Sequence, residues 1–173
     1  LVENWRRFYL RPRDLARIAR EPHWRLASMG HRAHETHAGE PDRRARYLTT
    51  RRDATEGDEA YRARVLADFV EARRHLARAG AAEPVAYLLP FADAGTGPGS
   101  DAMAATAIAD ALVSQHALAF TRADEIFNGP FRDPHQLSRV RIDGTWTSDR
   151  LLAALEGSRP RLTGVTGFTD PMA

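Results

Sequence analysis

Amphipathic segments that alternate with short apolar runs predict an α/β chain built from parallel βαβ units. Three observations carry that expectation. Residues 58 to 79 place Tyr61, Val65, Phe69, Ala72 and Leu76 at three-to-four spacing with Arg and Glu between them, the pattern of a helix with one buried face. Val85 to Leu89 and His116 to Phe120 are short apolar runs of the kind that fill a buried parallel strand. Between them, Ala105, Ile108 and Leu112 mark a second helix.

Taken in order, the first element is a helix over Arg13 to Arg20. Pro12 is suited to its first turn, where the missing N–H costs nothing, and Pro22 closes it. Trp24 to Ser28 alternates apolar and polar residues and predicts a strand, ended by Met29-Gly30. His31, His34 and His37 come next, in a polar stretch. Residues 38 to 57 are rich in Gly, Pro, Asp, Arg and Thr without a period, which predicts a long loop, functional or mobile. The helix over Asp58 to Ala79 succeeds it and stops at Gly80. After the strand Val85 to Leu89, ended by Pro90, a Gly-rich loop leads to a helix capped by Ser100 or Asp101 and running to Ser114. His116 to Phe120 and Leu137 to Ile142 are read as strands. Thr147 or Ser148 caps a last helix, Asp149 to Leu155. The chain thus divides into a lead-in helix within residues 1–22, a main unit at 23–158 and an irregular tail at 159–173.

Composition narrows the function classes. Of 173 residues, 43% are apolar and 28% charged, as in an ordinary globular domain rather than a disordered or fibrous chain. Without cysteine there are no disulfides, thiolate ligands or cysteine nucleophile. All 25 basic residues are Arg, which together with the abundance of Ala is the mark of GC-rich coding. Residues 1–80 carry 18 Arg against 12 acids, and residues 81–173 carry 7 against 11. In the basic half the charges interleave, as at Arg62, Arg64, Asp68, Glu71 and Arg73, which reads as a solvated helix face; nucleic acid is not an expected partner. No transmembrane run and no signal peptide are visible. The first residue, Leu1, predicts a processed, excised or incomplete chain.

The chemistry-bearing candidates lie at predicted strand ends. His31, His34 and His37 are imidazoles that a loop could gather around a divalent ion, or three ordinary polar-loop histidines. The run Gly95 to Ser100 lacks a P-loop Lys and reads as a plain βα connection rather than an anion cradle. Ser28 with His34, and Ser114 with His116, lack a nucleophile elbow, so a serine hydrolase is not expected.

The run Trp24-Arg25-Leu26-Ala27-Ser28-Met29-Gly30-His31-Arg32-Ala33-His34 resembles a segment of polysaccharide deacetylases, the NodB-homology carbohydrate esterase group, that reads roughly W-E-L-A-S-H-T/G-H-x-x-H. Within that group the likeness is to the branch acting on poly-N-acetylglucosamine exopolysaccharide. Tyr47 to Arg51 before Glu59 to Arg64, Val85 to Phe91, Ala117 to Thr121, and Asp133 to Ile142 resemble further family elements in the same order. The resemblance covers Pro12 to Leu155.

The resemblance implies a partial or deformed (β/α) barrel, with four to five strands legible here, and metal-assisted hydrolysis of N-acetyl groups on a cell-surface or secreted glycan. In such enzymes an Asp and two His hold the metal, zinc or similar, and a second Asp is the base. His34 falls on the second ligand position and Met29, a poor thioether ligand, on the first; His31 is the candidate replacement. The family's T-F-D-D strand has no counterpart before Trp24. Pro90 and Phe91 fall on the family's P-Y pair, beside which backbone N–H groups stabilise the oxyanion, and Phe in place of Tyr keeps its own N–H. Three readings compete: a deacetylase domain lacking its first strands, a degenerate relative that at most binds N-acetylated polysaccharide, or an Arg-rich module for a polyanion. Because a complete eight-unit barrel needs ~250 residues, the chain is expected to be the later portion of a larger domain.

Overall fold

The computed structural model describes residues 11–37, 46–80, 86–122, 128–129, 131–140, 142 and 144–157. Its elements are α1 (Pro12–Ile18), α2 (Asp58–Arg78), β1 (Ala86–Leu88), α3 (Ala104–Gln115), β2 (Leu118–Arg122), β3 (Leu137–Ser138) and α4 (Ser148–Gly157), with a 3₁₀ turn at Pro90–Ala92. The chain is therefore α/β.

The three strands are parallel and lie in sequence order, β1-β2-β3, with Ala86 opposite Leu118 and Phe120 opposite Leu137. The predicted strand at Trp24 to Ser28 contracts to one parallel bridge, Ser28 to Tyr87, so the chain enters the sheet beside β1 only at its last residue. Trp24 is 65% exposed, which explains the contraction: its apolar side has nothing to cover it. The described residues form no closed barrel.

The helix α2 obeys its apolar spacing. Tyr61, Val65, Phe69 and Ala72 are buried against Ala107, Ile108, Ala111 and Leu112 of α3 and against Tyr87 and Leu89. Phe69 stacks on Tyr87 with ring centroids 4.3 Å apart. α2 and α3 pack directly on each other, so both crossover helices lie on one side of the sheet. Two polar positions that read as a solvated face do the opposite: Asp68 is buried, and Arg64 points into the domain to meet Glu56.

Other boundaries moved for local reasons. α3 begins at Ala104 rather than at Ser100 because residues 100–103 form a turn, in which the Asp101 carboxylate accepts the Met103 N–H at 2.8 Å. β2 begins two residues later than expected because His116 closes α3, its N–H donating to the Leu112 carbonyl at 2.9 Å. Thr147 does cap α4, accepting the Arg150 N–H on Oγ1 at 3.2 Å. Val85, residues 38–45 of the expected loop and the 159–173 tail lie outside the described residues.

The Tyr87 hydroxyl is buried without a hydrogen-bond partner among the described residues, and burial pushes its ionisation far above the usual range. Removing an unpaired buried group costs nothing in hydrogen bonding. Tyr87→Phe should therefore leave stability unchanged or raise it by about 1 kcal/mol, read as the midpoint of thermal unfolding. A loss of that size instead would show that the hydroxyl is satisfied in solution.

Candidate functional site

In parallel sheets ligands gather at the carboxyl ends of strands. Here that edge is formed by the segments leaving Ser28, Leu88 and Ser138. The first of these is the histidine loop. It turns at Gly30, whose φ of +93° is a conformation side chains resist; a Cβ there would meet Asp68 Oδ2 and the Tyr87 hydroxyl, each at 2.8 Å, and the Ala33 Cβ. Asp68, from the middle of α2, then accepts the backbone N–H of His31 at 3.1 Å and of Arg32 at 2.5 Å. Burial pushes the Asp68 carboxyl up, against the opposite pull of those two N–H donors.

Held this way, the three histidines go to three places. His31 stacks on His75 of α2, centroids 4.9 Å apart and nearly parallel. His34 meets the ring of Phe91 edge-on at 6.0 Å. His37 is bonded through Nε2 to the Thr50 carbonyl at 3.1 Å and tilts against Tyr47. Met29 lines a small hollow of about 170 Å³ with His31 and His75, where Phe91 has no part.

The second part is the Pro90–Ala92 turn at the end of β1. Phe91 (φ 60°) and Ala92 (φ 53°) both adopt left-handed backbone, a conformation costing non-glycine residues about 1–3 kcal/mol each. Phe91 is 57% exposed. Among the described residues its N–H has no hydrogen-bond acceptor, since the turn's bonds run from Ala92 to Leu89 and from Asp93 to Pro90. The Arg46 guanidinium lies 4.6 Å over the Phe91 ring and pairs with Asp93 at 2.8 Å. Asp93 also accepts the Gly95 N–H at 3.0 Å, so the Gly-rich loop folds onto a carboxylate already paired and is a plain connection. Gly95 is required there: a Cβ would lie 2.6 Å from the Ala105 nitrogen.

Beside the loop a polar cleft of about 600 Å³ is lined by Arg32, Thr36, His37, Tyr47, Arg52 and Glu56 among others. Its floor is a clasp. Arg64 donates to both oxygens of Glu56 at 2.7 and 3.0 Å, to the Thr50 carbonyl at 2.8 Å, and to the Tyr47 carbonyl. Arg51 joins Asp58 of α2, at 2.6 Å, to Asp101 before α3, at 2.7 Å. The Tyr47 to Arg51 stretch, expected as loop, is thus tightly held.

The structure therefore brings together His34 and Phe91 and separates the His31 ring from them. Among the described residues no three of His, Asp or Glu converge to hold a metal ion. Arg46 and Arg139 carry no spacing signal in the sequence, though Arg139 lies within the Asp133 to Ile142 stretch, and Asp68 reads there as part of a solvated helix face, whereas it is buried. No protein-family model, curated protein or solved structure matches this chain.

Proposed function

We propose that the chain is a degenerate relative of the polysaccharide deacetylases that binds an N-acetylated glycan without hydrolysing it. The meeting of His34 with Phe91 at the carboxyl edge supports this most directly, because the two stretches were matched separately and far apart in sequence. The sequential strand order with α2 and α3 on one side is also what a singly wound (β/α) barrel contains, whereas a doubly wound sheet reverses. In this reading the acetyl carbonyl accepts the Phe91 N–H, the exposed Phe91 ring takes a sugar face, and the polar cleft receives neighbouring sugars.

The polyanion reading has less to draw on. Arg46, Arg51 and Arg64 are each committed to carboxylates within the domain.

The test is a titration of the chain with an N-acetylglucosamine oligomer in the presence of zinc, tracking binding and free acetate together. Saturable binding without acetate release is expected. Acetate release above the protein-free control sinks the degenerate reading, and absence of binding sinks the glycan reading. Met29→His adds an imidazole beside His31 and His75, and should give zinc uptake that the wild-type chain lacks, measured by metal analysis after gel filtration.

A further inference from the structure

Three half-buried arginines of this domain meet carboxylates. Arg46 pairs with Asp93, Arg51 with Asp101 and Asp58, and Arg64 with Glu56. Arg139, also half-buried, has no carboxylate partner among the described residues. Within that set its hydrogen bond runs from Nη2 to the Leu89 carbonyl at 3.4 Å, and its Nε is buried with no acceptor. A guanidinium always carries its charge, and partly removing it from water without a counter-ion is costly.

Its position gives the missing partner a place. Arg139 directly succeeds β3, and its side chain crosses the end of β2 to reach the last residue before the Pro90–Ala92 turn. It thus lies at the same carboxyl edge as His34 and Phe91, whose side chain is exposed. The planar fork of a guanidinium matches a carboxylate better than any other common anion except phosphate. The Phe91 N–H, without an acceptor among the described residues, belongs to the turn that follows Leu89.

We propose that Arg139 is a carboxylate-binding residue, and that the site beside the Phe91 turn takes an acetate or the carboxylate of an acidic sugar. The site stands on the Arg139 geometry and not on the deacetylase kinship, so a chain that ignores N-acetylglucosamine oligomers can still bind a carboxylate.

The experiment uses the full chain, isotope-labelled at nitrogen. The Arg139 Nε–Hε resonance, identified by its loss in Arg139→Lys, is monitored through titrations with acetate, with glucuronate, with chloride at equal ionic strength and with neutral N-acetylglucosamine. A saturable shift with acetate or glucuronate, absent with chloride, is expected; which of the two binds more tightly tells a free acid from a glycan carboxylate. Acetate affinity, read from broadening of the acetate methyl signal, should fall at least about tenfold in Arg139→Gln. Arg139→Lys, which keeps the charge but not the fork, should also weaken it and serves if the Gln variant does not fold. No saturable shift with either carboxylate, or an equal response to neutral N-acetylglucosamine, overturns the proposal.

Discussion

Arg64→Ala should lower the stability of the domain by about 3 kcal/mol, measured by denaturant unfolding at neutral pH. The Glu56 side chain is 1% exposed and that of Arg64 11%. With Arg64 gone, Glu56 keeps, among the described residues, only the Arg52 N–H, at 2.7 Å, and is left as a buried carboxylate without its counter-charge. The Tyr47 carbonyl loses the Arg64 donor as well, and the Thr50 carbonyl is left with His37.

The variant should also respond differently to pH. In the wild-type chain the bond from Arg64 holds the Glu56 carboxyl below its ordinary range, with the Arg52 N–H acting the same way against the cost of burial. A lowered folded-state value means stability that is present above the unfolded value, about 4.3, and lost as pH falls through the folded one. In Arg64→Ala the largest influence holding the Glu56 carboxyl down is gone, burial is opposed mainly by the Arg52 N–H, and that contribution shrinks. Adding Glu56→Gln to Arg64→Ala should then recover part of the loss, because the two residues act as a pair. A single-variant loss below about 1 kcal/mol, the size of an exposed pair, would contradict the clasp.

Gly30→Ala is expected to be at least as damaging, about 4 kcal/mol from the sum of backbone strain and overpacking. The positive φ resists any side chain, and the new methyl meets Asp68 Oδ2, the Tyr87 hydroxyl and Ala33, none of which is the free end of a flexible chain. Unlike a core truncation, this change moves the His31–His34 loop itself. Binding of any ligand that needs His34 beside Phe91 should fall with stability, and the pairing of Gly30→Ala with Asp68→Ala or Tyr87→Phe should show which neighbour resists more. If Gly30→Ala melts like the wild type, the turn at Gly30 is not the one described.

Much of the frame is legible in the residues themselves. The helix over Asp58 to Arg78 is legible to within a residue because its apolar spacing is dense and its start and stop signals agree. The parallel strands are legible as short apolar runs, though not their registers or ends. His116 shows why: its residue type fits a strand start, but it is used to end a helix. The candidate site is legible only in its motif residues. His34 and Phe91 stand out in the sequence, whereas Asp68 and Arg64 pass for a solvated face, since their true partners are backbone groups and a Glu in a loop without period. A charge seen in sequence says nothing about which side of a helix the tertiary fold will cover.

The guanidinium clasp has a consequence for how the domain opens. Arg51 ties the first turn of α2 to the approach to α3, Arg64 ties the Tyr47 to Glu56 loop to the body of α2, and the Asp101 N–H donates to Thr49. None of these segments can come loose without releasing charges that the others hold. The loop and the two helix starts should therefore breathe as a single cooperative unit, slower than their lack of regular structure implies. Irregular backbone here is the bolt between helices, and the carboxyl edge of the sheet is fastened to it through Arg46 and Asp93.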